Sequence, residues 1–228
     1  MYTQAYTEFQ INRILRLEGE ASNLEFMSDF VVMGISDPYS RTSKIFYTDL
    51  REANKINYFE TERLRKYTLS CNQTNSNEFV LATELNAKIY DIRQTRPLYQ
   101  IYEVNHPKTV LRNRQPYIVH AYWSPSGKYI FTINCYANTF FFWDVLNADR
   151  IPISMDITRS IEWYGGTTWI NDNLVVSSRG DICAITPRST TMDHMYHSES
   201  SFALDLAYNE NTLQLAGLLD EEICIWSH

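Results

Sequence analysis

The chain has little of what most catalytic frames require. Only 7 of its 228 residues are glycine, and it contains neither a glycine-rich phosphate cradle nor a G-x-S-x-G nucleophile turn. That excludes the usual signatures of nucleotide-dependent and α/β-hydrolase chemistry. Its four cysteines, Cys71, Cys135, Cys183 and Cys224, include no C-x-x-C pair. Three of them stand inside apolar strand-like runs, the setting of buried free thiols rather than of zinc or a disulfide framework. No segment approaches the roughly 18 uninterrupted apolar residues of a membrane span. The N-terminal "MYTQAYTEFQINR" also lacks the apolar core of a secretory signal, so a cytoplasmic or nuclear protein is expected. A net charge of −7 argues against a general affinity for nucleic acid or anionic membrane.

Aromatic and apolar residues are plentiful: 16 tyrosines, 11 phenylalanines and 44% hydrophobic residues, a mix suited to pleated sheets with a real core. The run "TFFFWDV" (139–145) has four large aromatics with no polar residue between them. Alternation would mark a strand with one wet face, whereas an unbroken short run bounded by "YAN" and "LNAD" predicts a strand covered on both faces.

That run belongs to a repeat. "SKIFYTDL" (43–50), "NAKIYDIR" (86–93), "TFFFWDVL" (139–146), "DICAITPR" (181–188) and "EEICIWSH" (221–228) align on Tyr47, Tyr90, Trp143, Ile185 and Trp226, spaced by 43, 53, 42 and 41 residues. A second apolar segment precedes each run, as in "DFVVMGIS", "EFVLATEL", "KYIFTINC", "NLVVSSRG" and "TLQLAGLL". A third precedes most of those, and a more polar fourth follows several, such as "PLYQIYEV" and "DRIPISMDI". Four short strands per 40–45 residues is the period of a β-propeller blade.

Two units resemble the WD-repeat family closely. "WSPSGKYIFTINCYANTFFFWDV" (123–145) has an S-P-x-G turn and the terminal Trp143-Asp144 pair, and "LQLAGLLDEEICIWS" (213–227) has Asp220 at its turn and ends in Trp226. "VLATELNAKIYDIR" and "LVVSSRGDICAIT" are looser matches, with Tyr90 and Ile185 in the Trp place. The sequence departs from the family in having no Gly-His dipeptide, and in placing Glu84, Ala137 and Arg179 where the turn Asp is usual. The resemblance implies an all-β propeller of about five four-stranded blades, at about 22–60, 61–104, 117–157, 160–197 and 201–228. The last unit stops after its third strand, so residues 7–18 are expected to complete that blade, sparing it an open edge; an open ring completed by a partner's strands, or a fragment of a longer protein, are the alternatives.

Such a disc implies a non-catalytic interaction scaffold within a larger intracellular complex, with no enzyme activity, no cofactor and no metal. The best metal candidate is "DHMYHSE" with Asp193, His194 and His197, expected in a solvated loop, and "GGTTW" (165–169) is expected to be a turn. His120 is expected to be a core histidine. A partner-binding patch is expected between residues 88 and 114, where Lys88, Arg93, Arg96, Lys108, Arg112 and Arg114 face only Asp91 and Glu103, beside Tyr99 and Tyr102. An acidic or phosphorylated protein surface would suit it. Two alternatives accompany the scaffold. "IYDIRQ" resembles the D-x-R motif, here Asp91 and Arg93, by which some WD-repeat substrate receptors dock on a cullin-ligase adaptor. The same basic patch would also serve a nucleic-acid-binding subunit.

Overall fold

The computed structural model describes residues 20–27, 29–36, 42–51, 55–62, 64, 67–83, 86–94, 96–101, 120–134, 139–147, 153–156, 163–178, 181–187, 189, 192–197, 203–219 and 222–227. They form five separate antiparallel sheets, each an up-and-down meander in chain order. The first holds β1 (Glu20–Met27), β2 (Phe30–Ser36), β3 (Thr42–Asp49) and β4 (Ile56–Glu62). The second holds β5 (Tyr67–Cys71), β6 (Glu78–Thr83), β7 (Ala87–Asp91) and β8 (Pro97–Ile101). In the third, β9 (His120–Trp123), β10 (Tyr129–Asn134) and β11 (Thr139–Asp144) are followed by one 3-10 turn, Val145–Asn147, and by β12 (Ile153–Asp156). The fourth comprises β13 (Trp163–Ile170), β14 (Asn173–Ser178), β15 (Asp181–Ile185) and β16 (Met192–His197). The fifth has three described strands, β17 (Ala203–Asn209), β18 (Gln214–Leu219) and β19 (Glu222–Ser227).

Each sheet packs on the next. Val32, Ile45 and Phe59 of the first sheet meet Leu69, Phe79 and Tyr90 of the second. Val80, Ala82 and Ile89 then meet Trp123, Phe141 and Trp143 of the third. Phe131 and Phe142 meet Leu174, Val176 and Cys183 of the fourth, and Val175 and Ile182 meet Leu206 and Leu215 of the fifth. The aromatic run behaves as its sequence predicts: Phe141 and Trp143 enter one inter-sheet core while Phe142, between them, enters the other. The Trp143 indole also donates to Thr132 Oγ1 at 2.9 Å, joining β11 to β10.

First strands lie beside first strands, β1 by β5, β5 by β9 and β13 by β17. At the last of these the approach depends on glycine, because a Cβ at Gly166 would stand 2.2 Å from the backbone nitrogen of Leu206. "GGTTW" is therefore part of β13, with a register shift between Trp163 and Thr167, and not a turn. The metal candidate is likewise strand and not loop, since Asp193, His194 and His197 lie on exposed β16.

The chain forms five small antiparallel sheets of three or four described strands, with one change from the expected alignment. In three of them the residue after the β3-type strand donates its N–H to the turn joining the first two strands: Leu50 to Asp29 O, Ile92 to Asn77 O, Val145 to Lys128 O. This makes Asp49, Asp91 and Asp144 equivalent, so Thr48 and not Tyr47 matches Tyr90 and Trp143. Tyr47 points the other way, into the core with the second sheet. Among the described residues the fifth sheet shares no core with the first, and the five sheets do not close into a ring. The expected closing strand, residues 7–18, lies outside the described residues, as do Glu84, Ala137, Arg179 and Asp220.

Candidate functional site

The turns between first and second strands of the second, third and fourth sheets touch in succession. Gly127, with φ at +70°, needs glycine twice over: its backbone is left-handed, and a Cβ would meet Thr74 Oγ1 at 2.1 Å and Asn72 Oδ1 at 2.7 Å in the second sheet's turn. On its other side the Ser126 N–H donates to Asp172 Oδ1 in the fourth sheet's turn at 3.2 Å. Asn72 organises its own turn, its Oδ1 accepting from Thr74 N and Asn75 N.

Asp91 and Arg93 stand at the end of β7, beside the second sheet's turn. The Arg93 N–H donates to Asp91 Oδ1 at 2.8 Å, Nε to the same oxygen at 2.9 Å, and Nη2 to Oδ2. The carboxylate is buried while the guanidinium side chain is 65% exposed. Arg93's hydrogen bonds hold the Asp91 carboxyl below the usual carboxylate range, and the same pair raises Arg93. The fork presents a fixed planar cation to solvent with little side-chain freedom left to lose.

Sequence reasoning missed a second fork. Asp49-Leu50-Arg51 repeats the D-x-R spacing in the first sheet: Arg51 Nε and Nη2 donate to Asp49 Oδ1 and Oδ2 at 2.9 and 2.7 Å, and Nη1 reaches Asp29 Oδ2 at 3.1 Å. Arg51's hydrogen bonds lower the Asp49 pKa to about 2. The signal was present in the letters "TDLR", obscured by alignment on Tyr47.

Of the remaining expected patch, Arg96, three residues after Arg93, is exposed, and Tyr99, on β8, is 56% exposed. Tyr102, Lys108, Arg112 and Arg114 lie outside the described residues. Two of the patch's cations already have partners, Arg93 in its fork and Lys88 on Glu62 Oε1 at 2.8 Å. The local positive charge is therefore smaller than the residue count suggests, which weakens the argument for nucleic acid.

Other chemistry-bearing residues are dispersed. His194 Nδ1 lies 3.6 Å from Cys183 Sγ, and His197 Nδ1 lies 2.6 Å from Asp181 Oδ1. Among the described residues no three such groups are arranged to hold a metal. Burial pushes the Cys183 thiol up to about 11, so it remains protonated near neutral pH. His120 stacks on Tyr122 with ring planes 5° apart, and burial lowers its pKa to about 4, leaving it neutral. The described free thiols Cys71 and Cys183 are buried and Cys224 is half-buried; Cys135 lies outside the described residues. Among the described residues no helix is long and apolar enough to cross a membrane. No family model matches the chain, and no curated protein matches it.

Proposed function

We propose that the five sheets are blades of a WD-repeat-type propeller, with residues 7–18 as the fourth strand beside β19, and that the chain is a non-catalytic docking scaffold in a larger intracellular complex. One observation carries this reading. Linked turns carry Arg93 in an exposed, preorganised fork, with exposed Arg96 and Tyr99 following it in the chain, an arrangement suited to an acidic or phosphorylated protein surface. Loops set on a stack of rigid sheets bind without large ordering costs. The basic residues at 108, 112 and 114 would extend the same surface.

The test is recovery of partners with the tagged full chain at near-physiological salt, compared with an Arg96→Glu/Tyr99→Ala variant that leaves the Asp91 fork intact. We expect a stoichiometric partner whose recovery falls at least tenfold with the variant. Equal recovery by both proteins would remove this surface from the interface.

A second reading, substrate receptor of a cullin-type ligase, is supported by the exposure of Arg93 within its fork. Arg93→Glu should then abolish adaptor binding, and adaptor binding that persists would end that reading.

A further inference from the structure

The two Asp-Arg forks are built on one backbone frame. In the first sheet Asp49, at the end of β3, faces Phe30, the first residue of β2; in the second, Asp91, at the end of β7, faces Glu78, the first residue of β6. Asp49 Oδ1 accepts the Arg51 N–H at 2.9 Å, and Asp91 Oδ1 accepts the Arg93 N–H at 2.8 Å. The residues in between, Leu50 and Ile92, donate to Asp29 O and Asn77 O. Asp29 of the first turn is therefore the counterpart of Asn77 of the second.

At that one position the frames part. Arg51 spends Nε and Nη2 on Asp49, and its Nη1 reaches a second carboxylate, Asp29 Oδ2, at 3.1 Å. Arg93 spends Nε and Nη2 on Asp91 in the same way, but among the described residues its Nη1 has no hydrogen-bond partner. Asn77 brings an amide where Asp29 brings a carboxylate, and the rest of the turn 72–77 holds no acid. Glu78 attracts Arg93 through space, but its Oε2 accepts from Asn72 Nδ2 at 3.2 Å. The fork leaves the Nη1 hydrogens and one on Nη2, an edge that fits a single carboxylate side-on. The Arg93 side chain is 65% exposed, so this edge is open to a partner.

We infer that an acidic side chain of a partner protein, Asp or Glu, binds Arg93 at Nη1, in the place that Asp29 fills on Arg51. This rests on the docking reading above and narrows it to a carboxylate. The first fork shows that the frame holds two carboxylates on one guanidinium, so a second acid on Arg93 has a precedent in the chain itself. The bond to Asp91 fixes the plane of the cation beforehand, which lowers the ordering cost of the contact.

The test follows the Nε–Hε resonances of Arg51 and Arg93 in the nitrogen-15-labelled full chain, titrated at low ionic strength with a hexaglutamate peptide blocked at both ends. A saturable shift is expected at Arg93 and none at Arg51, whose Nη1 is already taken. Asn77→Asp supplies the carboxylate within the chain and should weaken the peptide about tenfold, the worth of one charged hydrogen bond. Ser76→Asp adds the same charge off the frame and should weaken it by no more than about twofold. An Arg93 resonance that does not move, or equal losses from the two substitutions, overturns the inference. Should Asn77→Asp fail to fold, Arg93→Lys keeps the charge, loses the planar edge and should weaken the peptide as much; unchanged binding overturns the inference. Recovery of partners by the tagged chain separates the failures. Recovery that falls with Arg96→Glu/Tyr99→Ala and is unchanged by Asn77→Asp overturns the carboxylate at Arg93 and leaves the docking surface standing. Recovery unchanged by both overturns both.

Discussion

Glu25 sits part-buried on β1; burial first and the Glu25 charge second raise the Cys71 thiol of β5, and Glu25's own desolvation raises its carboxyl to about 7. Because the folded pKa lies above the usual 4.5, the fold holds a proton that the unfolded chain releases, and stability falls as pH rises from about 4.5 to about 7. Water still reaches the group, so the loss is on the order of 1 kcal/mol rather than the full value of the shift. Urea denaturation of Glu25→Gln at about pH 5 and pH 8 should give a flatter profile than wild type; equal slopes would mean that Glu25 is fully solvated. Trp143→Phe keeps most of the ring packing but loses the bond to Thr132, and should cost about 1–2 kcal/mol in the same assay. No change would show that the bond contributes nothing. Single residues were legible where a run was uniform, as in "TFFFWDV", because Phe141, Phe142 and Trp143 are all buried whichever face each takes. They were less legible where neighbours compete for one place: Tyr47 is the aromatic letter at the first anchor, but Thr48 is its structural equivalent.

Among elements, the strands were legible from apolar runs punctuated by turn residues, and they assemble into five small antiparallel sheets. The errors have physical causes. "GGTTW" has turn letters, yet its glycines serve the close approach of β13 to β17, a tertiary demand that local propensity does not reveal. "DHMYHSE" looks polar enough for a loop because β16 is an outer strand with no described sheet beyond it. Gly166→Val places carbon against the backbone of Asp205 and Leu206, neither of which can swing aside as a side chain could. We expect it to destabilise by about 1–3 kcal/mol, with hydrogen exchange in β17 and β18 accelerated first. Uniform acceleration across all five sheets would show that the fourth and fifth sheets do not form a separable contact.

For the molecule as a whole, the period of 41–53 residues implied five similar units, and their stacking in chain order follows because each sheet is apolar on both faces. Closure was not legible in the same way, since it depends on how the two end faces are covered, and no repeat spacing carries that information. The functional site was half legible. Basic and aromatic letters marked the region, but the letters do not show that Lys88 pairs with Glu62 or that Arg93 is already forked on Asp91. The central claim is that a rim on a rigid stack docks protein. Its most direct test is hydrogen exchange on the free chain and on the same chain in its purified assembly. We predict slowing concentrated in the turns 72–77 and 124–128 and in the segment 91–101. Unchanged exchange there, with slowing on other surfaces or nowhere, would contradict the account.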